Sequence, residues 1–212
     1  MTHSSSENFF KSACIFEASL LLVAFGLGWI ADINPFGDLQ FSETAILYGV
    51  IGTLPLIFLF LSMQHLNYHC VEVVRKLLME TLASRLHTLH WSDLLILSAI
   101  AGLSEEVLFR GVVQPWLEQV WGLNAGLLVS SILFGLVHAI TPLYAILAAL
   151  VSIYLGWSLS YGETRNLLTP VVIHTLYDFF AFLMIIRRAD STPKCNPSCH
   201  AAFGKDSAKK TE

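Results

Sequence analysis

Charge is what this sequence has little of. Asp, Glu, Lys and Arg make up 13% of its 212 residues, where about 25% is usual for a soluble domain, and 55% of the residues are hydrophobic. That balance excludes a chain that keeps its whole surface in water. A basic excess is also missing. The net charge is -4 and no stripe of Lys and Arg runs along any segment, so nucleic acid is not an expected partner. Cys14, Cys70, Cys195 and Cys199 lie scattered between apolar segments and a polar end. They do not form the dense framework of a stapled secreted domain, and no disulfide is expected. No internal repeat is visible, and no small-x-small cleavage site follows the first apolar run, Ala13 to Ile30. Although that run contains Glu17, its length predicts a retained helix rather than a signal peptide.

What is present is apolar sequence in pieces of membrane-crossing length. A hydrocarbon core about 30 Å thick needs about 20 mostly apolar residues per helix. Six segments meet that need: Ser12 to Ala31, Thr44 to Met63, Asp93 to Gln114, Leu123 to Ile140, Leu143 to Ser160 and Leu167 to Ile186. The expected fold is all-α, a polytopic membrane helical bundle of about six transmembrane helices. Only Thr141 and Pro142 separate the fourth and fifth segments, which predicts a tight hairpin with proline in the first turn of the second helix. Between the second and third, Leu66, Val73, Val74, Leu77, Leu78, Leu82 and Leu89 recur at helical spacing, with Glu72, Lys76, Glu80 and His87 opposite. This pattern predicts one interfacial cytoplasmic helix. Residues 1–190 are expected to form a single membrane-embedded domain, and residues 191–212, polar and without apolar periodicity, a disordered cytoplasmic tail.

Cytoplasmic loops retain Lys and Arg. With the N-terminus inside, that side holds Lys11, Arg75, Lys76, Arg85, Arg187, Arg188, Lys194, Lys205, Lys209 and Lys210, and the other side only Arg165. The chain is therefore expected in the cell membrane, the inner one in a Gram-negative cell, with both termini cytoplasmic. The histidine pairs His65 and His69, and His87 and His90, are read as solvated surface groups, as are Cys195, Cys199 and His200. Trp91, Trp116 and Trp121 lie near segment ends, where interfacial anchors sit.

An ionisable residue inside an apolar span costs several kcal/mol on most scales and is a functional hypothesis by default. The third segment holds Glu105, Glu106 and Arg110. Glu106 and Arg110 are four apart, about 40° around a helix, with the acid on the favoured N-terminal side. Glu105 points about 100° away. One carboxylate is thus neutralised and the other left free, and an ion pair that only fixed helix packing would need a single acid. The fourth segment carries Phe134 and His138, and the sixth carries His174 and Asp178 four residues apart. Polar groups in three apolar spans satisfy one another by converging. A glutamate and a histidine in a dry cavity can act as general base for a water while a second histidine donates to an oxyanion. Glu105, His138 and His174 could alternatively ligate zinc, but no H-E-x-x-H run favours that, and no cofactor is expected.

These runs, E-E-x-x-x-R at Glu105 to Arg110, F-x-x-x-H at Phe134 to His138 and H-x-x-x-D at His174 to Asp178, resemble those of the CPBP family. Its members are the CAAX-processing and bacteriocin-processing (Abi) membrane proteases related to the eukaryotic Ras-converting endopeptidase. The approach Asn166 to Pro170 is similar as well, and the resemblance spans roughly Asp93 to Phe182. It implies an intramembrane glutamic endopeptidase acting on a membrane-associated protein or peptide. Glu105 and His138 would activate water, His174 and Asp178 stabilise the oxyanion, and Glu106, Arg110 and Phe134 support the site. Asp178 departs from the asparagine more usual there, and an ionised aspartate cannot donate a hydrogen bond. The alternative function is a noncatalytic peptide-binding or bacteriocin-immunity protein using the same cavity. A depth conflict also stands: with upright spans, His138 falls near the cytoplasmic end of its segment, away from Glu105 and His174.

Overall fold

A computed structural model describes residues 3–191. Among the described residues the fold is helical throughout, with no strand. Helix α1 is His3–Ala31 and α2 is Glu43–His65. Helix α3, His69–Leu78, passes through a π-helical turn Met79–Ala83 into the short α4, Ser84–Leu86. Helix α5, Trp91–Leu108, continues through a second π-helical turn, Phe109–Val113, into α6, Gln114–Trp121. Helices α7 (Leu123–Val137), α8 (Pro142–Ser158) and α9 (Leu168–Ser191) complete the bundle. The tail expected from residue 191 onward, with Cys195, Cys199 and His200, lies outside the described residues, apart from Ser191, which ends α9. Cys14 and Cys70 are free.

Among the described residues, three helical stretches are long and apolar enough to cross a membrane: Ser6–Ala31, Glu43–His65 and Leu168–Arg188. The expected third span differs most from its sequence boundaries. It does not stop at Gln114, because α5, the π turn and α6 form one continuous rod to Trp121. Its start is capped by Asp93, whose carboxylate accepts the His90 backbone N–H at 3.1 Å, while the His90 ring meets Ser92 Oγ at 2.8 Å. His90 is thus a capping residue rather than a merely solvated one.

Gly122 ends the rod with φ 84°, a backbone that favours glycine, and α7 folds straight back along it. A Cβ at Gly126 would come within 2.5 Å of the Glu118 backbone nitrogen, so the absence of a side chain lets the two helices touch beyond the turn. Further down, the Phe109 and Phe134 rings meet at 4.9 Å, and beyond them Glu105 meets His138. Members of each pair lie nearly equally far from Gly122 along the two arms. At 1.5 Å per residue, Glu105 and His138 are each about 25 Å from the turn. This settles the depth conflict: α7, 15 residues long, is a short arm of a hairpin rather than a full upright span.

The two ends of the bundle have different chemistry. At one end Phe9, Phe10 and Ala13 of α1 and Phe179, Phe182 and Ile186 of α9 pack against the same cluster of Leu86, Leu94 and Leu97. At the other end Arg165 reaches Glu118 at 2.8 Å and Asp38 at 3.5 Å, and the Asn166 side chain bonds the backbone of Gln40. The segment read as an interfacial helix is placed against the bundle. Val71 and Val74 are buried, and Val74, Leu78 and Leu82 line a cavity instead of lying open on a surface.

Candidate active site

The polar residues of three apolar helices converge. Glu106 and Arg110, one helical turn apart, are 0% and 1% exposed and pair at 3.0 Å. A buried guanidinium needs more than one acceptor. Arg110 also donates to the Ser152 carbonyl and to Ser152 Oγ on α8, both at 2.8 Å, and its Cζ sits 5.0 Å from the centre of the Phe134 ring. Ser152 stands in an apolar run with no motif around it, and nothing in the sequence marks it.

Glu106 has a second partner. Its Oε1 lies 2.8 Å from His174 Nδ1. A carboxylate at this distance accepts, so Nδ1 carries the hydrogen and Nε2 points onward, 3.6 Å from Asp178 Oδ2. A Cβ at Gly102 would meet Thr175 Oγ1 at 2.5 Å. This close approach of α9 to α5 brings the neighbouring His174 within reach of Glu106.

Glu105 is not paired with Arg110, as the helical angle predicts. It faces His138 instead, Oε2 to Nε2 at 3.5 Å. His138 terminates α7 at φ -96° and ψ 9°, and its Nδ1 lies 2.9 Å from the Phe134 carbonyl. A carbonyl can only accept, so Nδ1 holds the hydrogen and Nε2 presents a lone pair towards Glu105. Phe134 is the hub of the arrangement. Its ring stacks on His138 at 4.3 Å, lies edge-on to His174 at 6.3 Å and meets Phe109 edge-on. All seven residues singled out in the sequence therefore belong to one cluster, in which Glu105 and His138 form one half and Glu106, Arg110, His174 and Asp178 the other.

The cluster forms the inner end of a cavity of about 270 Å³. Glu105, His138, His174 and Asp178 line it together with Tyr144 and Tyr177, and the remaining wall is largely aliphatic. Such a space holds a few residues of an apolar peptide beside the acids and imidazoles. The zinc alternative fits this donor set poorly. A catalytic zinc takes three protein ligands, and among the described residues no three His, Cys, Asp or Glu side chains converge closely enough to hold a metal ion.

Residues 87–180 match the family model of the Rce1-like proteins, type II CAAX prenyl endopeptidases. Over that stretch the chain is similar to the Rce1-like family. No curated protein and no solved structure matches it. The Rce1-like segment begins three residues before His90, the N-cap of α5, contains every cluster residue and ends two residues past Asp178. The family matched is one of proteases, and the match with the long apolar helices points to a membrane protein.

Proposed function

We propose that this Rce1-like protein is an intramembrane endopeptidase that hydrolyses a peptide bond in a membrane-associated protein or peptide, with a glutamate as general base. The observation that carries this reading is the facing of Glu105 Oε2 and His138 Nε2, two acceptors 3.5 Å apart at the end of an apolar cavity. Two acceptors so placed share a donor, and a water between or beside them loses a proton to either. Proton transfer by such positioned groups contributes about 10²- to 10⁴-fold to rate.

Water attacks the scissile carbonyl carbon as Glu105 takes its proton, and His138, held in one tautomer by the Phe134 carbonyl, orients the water and relays the proton to the leaving nitrogen. His174 stands across the cavity with Nδ1–H given to Glu106. In its imidazolium form Nε2–H donates to the oxyanion, with Glu106 and Asp178 balancing the charge. Asp178, an acceptor, orients this ring in place of donating itself. Arg110, anchored on Ser152, holds Glu106 aimed. No step requires a serine or cysteine nucleophile.

The chain crosses the membrane six times in this reading, with both termini and the α3 side of the cavity cytoplasmic. Its substrates are peptides presented at or within the bilayer, and a prenylated C-terminal segment is the class that the family description suggests. The test is to compare membrane and secreted peptides from cells carrying wild type or Glu105→Ala. A peptide that accumulates uncleaved only in the mutant identifies the substrate. Identical peptide profiles, with the mutant protein present at normal abundance, would overturn the peptidase reading and leave the cavity as a binding site.

A further inference from the structure

The hydrogen-bonding groups around the cavity's inner end are lopsided. Glu105 and Asp178 only accept once ionised. His138 has committed its Nδ1 hydrogen to the Phe134 carbonyl, and His174 has committed its own to Glu106. In the neutral rings both Nε2 atoms are therefore acceptors. Four acceptors suit the capture of a proton from water. A tetrahedral intermediate needs the opposite, a donor aimed at its oxyanion, and His174 supplies one only when it carries a second proton.

Two tyrosine hydroxyls line the same cavity and can donate without any change of protonation. Tyr177 is occupied as a packing residue: its ring lies edge-on to Phe60 at 6.4 Å and packs against Leu56, Leu155 and Ile173. Tyr144 is placed differently. It lines the cavity together with Glu105 and His138 of one half of the cluster and His174 and Asp178 of the other. No hydrogen bond within the described residues occupies its hydroxyl.

Its level is also fixed. Thr141 Oγ1 accepts the Tyr144 backbone N–H at 3.1 Å and pins the first turn of α8. A Cβ on Gly135 would come within 2.5 Å of the Ala145 carbonyl oxygen, so α7 and α8 touch one residue after Tyr144 and three before His138.

We propose that Tyr144 is a catalytic residue whose hydroxyl donates the oxyanion hydrogen bond in the peptidase reaction, on which reading this proposal rests. As water adds to the carbonyl carbon and one of its protons passes to Glu105, the carbonyl π pair moves onto oxygen. That oxygen accepts the Tyr144 O–H, and the phenol keeps its proton throughout. When the intermediate collapses the pair returns, the C–N bond breaks and the nitrogen leaves with the proton held by Glu105 and His138. A neutral phenol adds to the His174 donor one that does not depend on a second proton on that ring.

The test uses the full-length protein in liposomes with an internally quenched peptide carrying a farnesylated cysteine, and the same peptide with a phosphinate in place of the scissile amide. Tyr144→Phe should lower kcat by about 10²-fold or more, the loss typical of one oxyanion donor. KM should stay within a few-fold, and the phosphinate should bind more weakly by a factor similar to the fall in kcat/KM. Thermal melting in detergent should match the wild type, since the ring remains. A kcat within threefold of wild type overturns the proposal, as does equal weakening of substrate and phosphinate, which would make Tyr144 a wall of the cavity. So does a loss carried by Tyr177→Phe instead. If wild type and Glu105→Gln are equally inert on the peptide, the peptidase reading falls and the role of Tyr144 with it.

Discussion

Glu106 Oε1 is shared between Arg110, 3.0 Å away on its own helix, and His174, 2.8 Å away on α9. Glu106 is thus both the counter-charge of a fully buried guanidinium and the acceptor that orients an imidazole. The two adjacent glutamates differ because Glu105, a residue earlier, turns to the cavity and Glu106 into the protein.

The first prediction follows from that division. Glu105→Gln should keep the protein abundant and folded but lower cleavage by about 10²-fold or more. Glu106→Gln should do two things. It leaves Arg110 without its carboxylate, and breaking such a buried pair costs about 3 to 5 kcal/mol. It also releases His174. Adding Arg110→Met should recover abundance and melting temperature while cleavage stays low. Recovery of cleavage along with abundance would show that Glu106 has no part in orienting His174.

Phe134 touches Arg110, His138 and His174 with its ring. Phe134→Leu keeps an apolar side chain but loses the stacking and the cation–π contact, each worth about 0.5 to 2 kcal/mol. A modest fall in melting temperature with a much larger fall in kcat is expected. Unchanged kcat would reduce Phe134 to packing.

The hairpin register is tested at Gly126. An alanine methyl there would meet the Glu118 backbone nitrogen at 2.5 Å, and backbone cannot step aside as a flexible side chain can. Gly126→Ala should cost about 1 to 3 kcal/mol and also lower activity by separating His138 from Glu105. Wild-type melting and activity would show that α6 and α7 do not meet there.

Activity should withstand chelation. Protein stripped with a strong chelator is expected to cleave at the untreated rate, because a carboxylate and imidazoles supply base and donor. Loss on stripping with recovery on adding zinc would reinstate a metal centre built on Glu105, His138 and His174.

The start of α1 and the end of α9 border one cluster at one end of the bundle, and Arg165 lies at the other. Reporter fusions after Pro35, Trp121 and Gly162 should be active on the external side, and a fusion after Leu82 on the cytoplasmic side. An external Leu82 fusion would reverse the proposed orientation.

The sequence by itself determined the apolar helices, the i to i+4 pairing of Glu106 with Arg110 and the freedom of Glu105 from that pair, because these depend on composition and on the angle between neighbours in one helix. It could not place His138, because depth in a bundle depends on where a helix turns back. Gln114 looked like the end of a span, since Glu118 and the residues around it are polar enough for a loop. In the structure Glu118 is held by Arg165, 47 positions away, so the helix runs on to Gly122 and the return arm carries His138 to Glu105. Contacts between helices likewise decided that Glu106 holds His174 and that Ser152 anchors Arg110. Each partner lies far along the chain, and no local spacing encodes it.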